Sequence, residues 1–149
     1  MQTTKTTKYF GEVSQTESTA EELKQNIPEL ADAEGKYICY EGYVYYVIKG
    51  QKEGGYVQTK LKRVRCDGKK MITLYRKSEY VGMSLIEAYT LSIDSVSDDY
   101  VYFTETDTDV NSALNYETMV TTIKRTFCKI NIDGSEEKIL LDSEEEKQS

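Results

Sequence analysis

Gly42-Tyr43-Val44-Tyr45-Tyr46-Val47-Ile48 is the most informative segment for predicting the fold, because the chain contains a similar segment a second time. The second copy is Asp99-Tyr100-Val101-Tyr102-Phe103. Each copy is followed, after an intervening segment, by a basic, β-rich run that ends in Asp-Gly, and then by a short apolar run. This order predicts that one unit of antiparallel strands occurs twice in the chain.

The spacing of the two copies also matches, apart from one insertion. The interval from Tyr100 to Asp133 is longer than the interval from Tyr43 to Asp67, and the difference predicts a long loop over 104–120. Asp-Gly between β-rich runs is typical of a hairpin with a type I′ turn, which needs positive φ at both central residues. The alternative is two unrelated hairpins in an ordinary all-β domain.

The two units carry a family resemblance. EGYVYYV with LKRVRCDGKKMITL, and SIDSVSDDYVYFTE with FCKINIDGSEEKILL, resemble the bacterial propeller-type repeats that are similar to the β-propeller of low-density lipoprotein receptor-related proteins. The resemblance covers about residues 35–141. It implies blade-like antiparallel sheets and no catalytic residues. Lys62-Arg63 and Cys128-Lys129 stand where the repeats carry an aromatic residue.

A short helix is predicted before the β region. Ser18 and Glu21 have the spacing of a capping box, and Leu23 and Ile27 begin an apolar stripe. Pro28 then ends the helix near Ile27.

The fold class predicted is all-β, with two similar antiparallel β-meander (propeller-blade-like) units and one short N-terminal helix. Closed propellers use about four to eight blades, so two units do not close a ring. We expect them to pack as an open two-sheet body; the alternatives are association of chains and a piece of a longer propeller. The predicted segments are a disordered or extended 1–17, a helix and linker at 18–34, one β domain at 35–141 divided into 35–88 and 89–141, and a charged tail at 142–149.

Composition narrows the class of protein. The 149 residues predict one domain. The longest apolar run has six residues, Tyr43 to Ile48, whereas a membrane helix needs about 20, so no membrane span is expected. The N-terminus lacks an apolar signal core, which predicts a cytoplasmic protein, or an exported one whose leader has been removed.

The cysteine and histidine counts bear on chemistry. The three cysteines make an odd number with no C-x-x-C motif, so a disulfide framework is disfavoured and they are expected as small buried side chains. The absence of histidine removes the usual base of a catalytic triad and the commonest zinc ligand, so we expect no cofactor.

Charge is distributed unevenly. The net charge is −7, yet residues 60–77 carry eight basic side chains and one acid, which leaves −14 on the remainder. An acidic surface disfavours direct nucleic-acid binding. The basic run is interpreted in two ways: as a cradle for phosphate or an acidic partner, with Lys62 and Arg63 as first candidates, or as an edge strand whose charges prevent aggregation.

Tyrosines are the second set of candidate contacts. Thirteen are present, and those alternating within strands, such as Tyr45 and Tyr102, are expected in the core. Tyr56, Tyr80 and Tyr116 lie in loop-like surroundings and are predicted to contact a partner.

A weak calcium motif begins at Asp107, Asp109 and Asn111, with oxygen ligands at every second residue. The match to the twelve-residue calcium loop fails at two positions. Ser112 replaces the turn glycine, and Thr118 replaces the bidentate glutamate. The simpler interpretation is a solvated acidic loop.

The function expected is a non-catalytic binding module that presents loops 49–57, 77–88 and 104–120 to a protein or glycan. One alternative is a small acidic inhibitor that blocks a basic, nucleic-acid-binding surface of a target. The other is a glycan-active enzyme that uses loop acids such as Asp107 and Asp109. A second copy of the chain is a further expected partner, because free sheet edges need to be covered.

Overall fold

The structure, a computed structural model, describes residues 20–80, 89–111 and 120–148. The predictions for residues 1–17, for 81–88 of the predicted loop 77–88 and for Tyr116 lie outside these ranges, and the prediction of a loop is wrong for 77–80, which are strand. The described elements are helix α1 (Ala20–Asn26), a 3₁₀ turn (Pro28–Asp32), and strands β1 (Ile38–Tyr40), β2 (Tyr43–Lys52), β3 (Tyr56–Arg65), β4 (Ile72–Tyr80), β5 (Tyr89–Val96), β6 (Tyr100–Asn111), β7 (Val120–Asn131) and β8 (Ile139–Gln148).

The strands form two antiparallel meanders. The first sheet has the order β1-β2-β3-β4 and the second has the order β5-β6-β7-β8. Each strand pairs with its neighbour along the chain within its sheet, as expected where short turns connect neighbours. The predicted all-β class, with two meander units and one helix, is confirmed.

The same backbone hydrogen bond joins the first hairpin to the third strand in each sheet. The Cys66 N–H donates to the Gly42 carbonyl in the first sheet, and the Ile132 N–H donates to the Asp99 carbonyl in the second, each at 3.0 Å. Each donor directly precedes the aspartate of an Asp-Gly turn, and each acceptor directly precedes an aromatic strand. The turns therefore correspond position by position.

A β-bulge also falls at the same position in both sheets. The register between the third and fourth strands shifts at Leu61/Lys62 in the first sheet and at Phe127/Cys128 in the second. A bulge bends its strand and increases the local twist. The two irregularities lie equally far before their Asp-Gly turns, so the two sheets share the same order of strands, bulge and turn.

The turn chemistry differs from the prediction. Glu41 and Gly42 have φ of 50° and 80°, as a two-residue type I′ turn requires. At the two predicted type I′ turns, Gly68 and Gly134 have positive φ (86° and 72°) but the preceding aspartates do not, and in the first hairpin Lys70 also has positive φ (58°). The Gly68 N–H donates to the Arg65 carbonyl at 2.8 Å. This arrangement is typical of a longer hairpin turn, in which Asp67 does not need a left-handed backbone conformation.

The two sheets pack face to face, and the helical segment covers the other face of the first sheet. One core lies between the sheets, and a second lies between the first sheet and α1 with its following 3₁₀ turn. β1 and the Val44–Val47 segment of β2 in the first sheet are therefore buried on both faces, which explains their weak polar alternation, whereas β4 is half-buried or exposed along most of its length. The largest buried side chains between the sheets include Tyr45, Leu61, Ile93, Phe103 and Ile130, and those under the helix include Leu23, Ile27, Val44, Tyr46 and Val64.

Two predicted irregular segments are largely strand. The expected loop over 104–120 is wrong for 104–111 and 120, because β6 continues to Asn111 and β7 begins at Val120, opposite it. The expected tail over 142–149 is wrong for 142–148, because β8 continues to Gln148 and pairs with β7. The β-branched threonines of β6 and β7 favour extended structure in the first segment. In the second segment, the Arg125 guanidinium of β7 lies 3.4 Å from carboxylate oxygens of Glu144 and Glu146, and these cross-strand contacts favour the pairing of β8 with β7.

Candidate functional site

Two of the candidate tyrosines lie opposite each other at one end of the first sheet. Tyr56 begins β3, Tyr80 ends β4, and the two residues are register partners. Their rings meet edge to face, with centroids 5.2 Å apart and planes inclined by 64°. Tyr56 is 46% exposed and Tyr80 is 67% exposed, so the pair presents aromatic surface to solvent. We refer to Tyr56 and Tyr80 as the tyrosine pair.

A tight turn positions the tyrosine pair. The predicted recognition loop over 49–57 is mostly strand, since β2 ends at Lys52 and β3 begins at Tyr56. Gly54 occupies the left-handed region at φ 79°, which lets three residues reverse the chain. The Tyr56 ring lies beside Gly54, 3.8 Å from the position that a Cβ there would occupy. The pair is thus held on strand ends and not on a long loop.

Lys62 is bound within the protein. Its Nζ lies 2.5 Å from the Glu29 carboxylate, which also accepts a hydrogen bond from the Tyr46 hydroxyl. The Lys62 side chain is only 12% exposed. Burial works to raise the pKa of Glu29, but the hydrogen bonds from Lys62 and Tyr46 outweigh it and hold that pKa below its usual value. Lys62 therefore ties the 3₁₀ turn to the first sheet.

The Arg63 side chain also makes contacts within the protein. Its guanidinium stacks over the Tyr43 ring at 3.8 Å and donates a hydrogen bond of 3.0 Å to the Ile132 carbonyl of the second sheet. Its strand, β3, lies between β2 and β4, so the interpretation of the basic run as a protected edge strand is wrong for β3. Of the four predicted contact residues that the structure describes, only Tyr56 and Tyr80 are strongly exposed.

A buried polar cluster lies between the sheets, and the sequence did not predict it. Its centre is Glu105 on β6, whose side chain is 5% exposed. The carboxylate accepts hydrogen bonds from Tyr75 at 2.8 Å, from Tyr89 and from Lys138. The Cys128 thiol lies 3.7 Å from the same carboxylate. We call these five residues the inter-sheet cluster.

The cluster contains a satisfied ion pair. Burial works to raise the pKa of Glu105, but hydrogen bonds from Lys138, Tyr89 and Tyr75 outweigh it and lower that pKa. Burial and the nearby Glu105 carboxylate raise the pKa of Cys128 to about 11, which keeps it a thiol near neutral pH. A protonated thiol is a poor nucleophile. The cluster therefore fixes the two sheets together, and its thiol is not activated.

The sequence did contain one signal for this cluster. Val101, Phe103 and Glu105 alternate along β6, and the first two are core residues. Period-two alternation therefore places Glu105 on the inner face, where a carboxylate needs partners. The identity of those partners depends on the first sheet, because Tyr75 belongs to β4.

An open groove adjoins the cluster. Its volume is about 590 Å³, and it lies between β4 and the turn that leads into β8. Tyr75, Arg76, Glu136 and Lys138 are among its lining residues. Both signs of charge line the groove, and the charge of Lys138 is already matched by Glu105.

The residues of the calcium motif lie on a strand. Asp107, Asp109 and Asn111 belong to β6, so the loop that a calcium site of this type requires is not formed. Among the residues that the structure describes, no three acidic or cysteine side chains converge as metal ligands would. Asp107 and Asp109 are also the acids expected of a glycan-active enzyme, and their opposite residues on β7 are Lys124 and Thr122.

Comparison with protein-family models, with curated proteins and with solved structures finds no match to this chain. Within residues 20–80, 89–111 and 120–148, no helix has the length and apolar character that crossing a membrane would require.

Proposed function

We propose that the protein is a non-catalytic binding module and that the tyrosine pair is its main contact with a protein or glycan partner. The observation that carries the proposal is the exposure of two adjacent aromatic rings, Tyr56 and Tyr80, on the ends of paired strands. Exposed tyrosine on a rigid scaffold gives large amphipathic contact area at low entropic cost.

The positions of the other candidates support this assignment. Lys62 and Arg63 are held by contacts within the protein, so binding through them would first break those contacts. The edge-to-face contact between the rings of the tyrosine pair is worth about 0.5–1.5 kcal/mol, and both rings keep solvent-facing surface. Partner binding can therefore cover the pair without disrupting the core.

The test begins by finding a ligand and then asks which residues bind it. The purified chain is screened against a glycan array and a displayed peptide library, and the affinity of the best hit is measured by titration. We expect Tyr56→Ala and Tyr80→Ala each to weaken binding about tenfold, as loss of an aromatic anchor does. Tyr56→Phe and Tyr80→Phe separate the contribution of the ring from that of the hydroxyl.

The matched control is Tyr102→Ala, which removes a half-buried tyrosine from the second sheet. We expect its affinity to stay within about twofold of the original chain. Equal losses in the control and in the tyrosine-pair variants would overturn the assignment of the contact surface. Failure of the unaltered chain to bind any array member or peptide would count against the binding-module proposal itself.

A further inference from the structure

The outer edge of β8 is open within the described part of the chain. β8 pairs with β7 on one side and ends the second sheet on the other. All ten of its residues, from Ile139 to Gln148, are exposed. A strand edge of this kind presents a row of N–H and C=O groups that can pair with an added strand, and here the Ser143 N–H already donates to the Asp142 carboxylate at 2.8 Å.

The regular part of the edge begins after the bulge. The register with β7 skips Leu141, and from Asp142 to Gln148 each residue has a partner on β7 without interruption. Strand addition needs an uninterrupted backbone ladder, so residues 142–148 are the part of the edge suited to it. We call residues 142–148 the acidic edge.

The acidic edge carries four carboxylates and one lysine. Glu144 and Glu146 point to the same face as Arg125, which contacts both at 3.4 Å. Glu145 alternates to the opposite face, where its register partner is Lys124. Lys147 lies two residues along on that same face, so the excess negative charge of the edge is on the face of Asp142, Glu144 and Glu146.

This charge pattern indicates which kind of strand can pair with the acidic edge. A second copy of the chain, paired antiparallel about Glu144, would place Asp142 opposite Glu146 and Glu144 opposite itself. Like charges directly opposite are destabilising in a sheet. A segment with alternating basic residues would place opposite charges across the new ladder. The acidic edge therefore disfavours self-association and favours a basic strand.

We propose that the acidic edge binds an extended, basic segment of a partner protein as an added antiparallel strand. Backbone hydrogen bonds along residues 142–148 supply the affinity. Lysine or arginine side chains facing Asp142, Glu144 and Glu146 supply the selectivity. This surface is separate from the tyrosine pair, and the proposal does not depend on it.

The probe is a fluorescent peptide of alternating threonine and lysine, titrated with the full chain at near-physiological salt. A peptide of alternating threonine and glutamate is its charge-reversed counterpart. We expect saturable binding of the basic peptide and at least tenfold weaker binding of the acidic one. Equal binding of both peptides, or binding of neither, would overturn the proposal.

Backbone pairing is tested by N-methylation of the basic peptide at either its odd or its even residues. In an added strand only alternate amides face the edge, so one methylated series should lose binding at least tenfold and the other should keep it. If both series bind as the parent peptide does, the contact is purely ionic and the proposal fails.

Two matched variants locate the contact. The double variant Glu144→Gln/Glu146→Gln removes two charges from the acidic edge, whereas Glu136→Gln/Glu137→Gln removes two charges from the turn before β8. We expect at least fivefold weaker binding for the first and less than twofold change for the second. Equal losses would show that only net charge matters, contrary to the proposal.

Two further outcomes would assign the edge to another occupant and overturn the proposal. Concentration-dependent dimerisation that Glu144→Gln/Glu146→Gln strengthens would identify a second copy of the chain. Peptide binding that is absent from the full chain and gained on deletion of residues 1–19 would identify the chain's own N-terminal segment. Unchanged peptide affinity in Tyr56→Ala/Tyr80→Ala would support a separate surface, and a tenfold loss there would contradict it.

Discussion

The hydroxyl of Tyr75, on the last strand of the first sheet, donates a hydrogen bond of 2.8 Å to the carboxylate of Glu105, which lies on the inner face of the second sheet. Lys138 donates to the Tyr75 hydroxyl at 3.0 Å and also to Glu105, so the bonds converge on one carboxylate. The two meanders are therefore joined by directional polar contacts as well as by apolar packing. Such contacts fix how the sheets are aligned, because a satisfied buried network tolerates little displacement.

Replacing the central carboxylate should weaken the protein strongly. Glu105→Gln leaves the partly buried Lys138 without its counter-ion and the two tyrosine hydroxyls with a poorer acceptor. We expect a loss of about 2–3 kcal/mol in the free energy of unfolding, below the full cost of breaking a buried ion pair because Lys138 is 34% exposed. Urea denaturation followed by circular dichroism measures it.

The paired control is Tyr75→Phe, which removes two hydrogen bonds, one donated to Glu105 and one accepted from Lys138, and should cost about 1–2 kcal/mol. The double variant Glu105→Gln/Lys138→Met should lose less than the sum of its single changes, because each change removes the other's partner. Additive losses would mean that the Glu105–Lys138 contact contributes nothing to stability.

The same carboxylate makes stability depend on acid pH. The pKa of Glu105 is lowered by folding from its usual value of 4.5, so its contribution is fully present above pH 4.5 and is lost as pH falls through the lowered value. Protonated Glu105 resembles glutamine in charge. The difference in stability between the original chain and Glu105→Gln should therefore shrink below pH 4.5. Unfolding curves from neutral to acid pH test this, and a constant difference would contradict it.

Corresponding glycines in the two sheets should respond differently to alanine. Gly68 and Gly134 both have positive φ, which costs a residue with a side chain roughly 1–2 kcal/mol. A Cβ on Gly68 would also lie 2.3 Å from the backbone oxygen of Asn26, at the end of α1, whereas a Cβ on Gly134 would meet only Leu74 and Ile72 at ordinary distances. We expect Gly68→Ala to lose about 3 kcal/mol or more and Gly134→Ala about 1 kcal/mol. Equal losses in thermal or urea unfolding would show that helix docking tolerates the displacement.

The three cysteines should differ in reactivity. Cys39 and Cys128 are buried, and the pKa of Cys128 is raised to about 11, whereas Cys66 is partly exposed at the turn after β3. Thiol labelling with Ellman's reagent at mildly alkaline pH should modify Cys66 first, and Cys39 and Cys128 only on unfolding, because the reagent needs an accessible thiolate. Cys66→Ser should abolish the fast phase. Fast labelling that survives in Cys66→Ser would show that the sheets open readily.

The candidate surface was only partly visible in the sequence. Tyr56 and Tyr80 could be chosen as exposed tyrosines from their neighbours, but their pairing follows from the β3–β4 register, which local sequence does not give. Lys62 and Arg63 had the right charge for a partner, yet β3 lies inside the sheet, where they contact Glu29 and the Ile132 carbonyl. The acidic edge was predicted as a tail, because its glutamates are poor β-formers and only pairing with β7 makes them strand.

The two similar units, the class of fold and the order of strands could be predicted from the sequence, because the recurring aromatic strand and the recurring Asp-Gly are local properties of the chain. Which charges are paired inside the protein and which stay on its surface depends instead on how the two sheets and the helix pack together. Burial and pairing depend on neighbours that are distant in sequence, such as Tyr75 for Glu105 and Glu29 for Lys62. The energy of a charge depends on those neighbours far more than on its position in the chain.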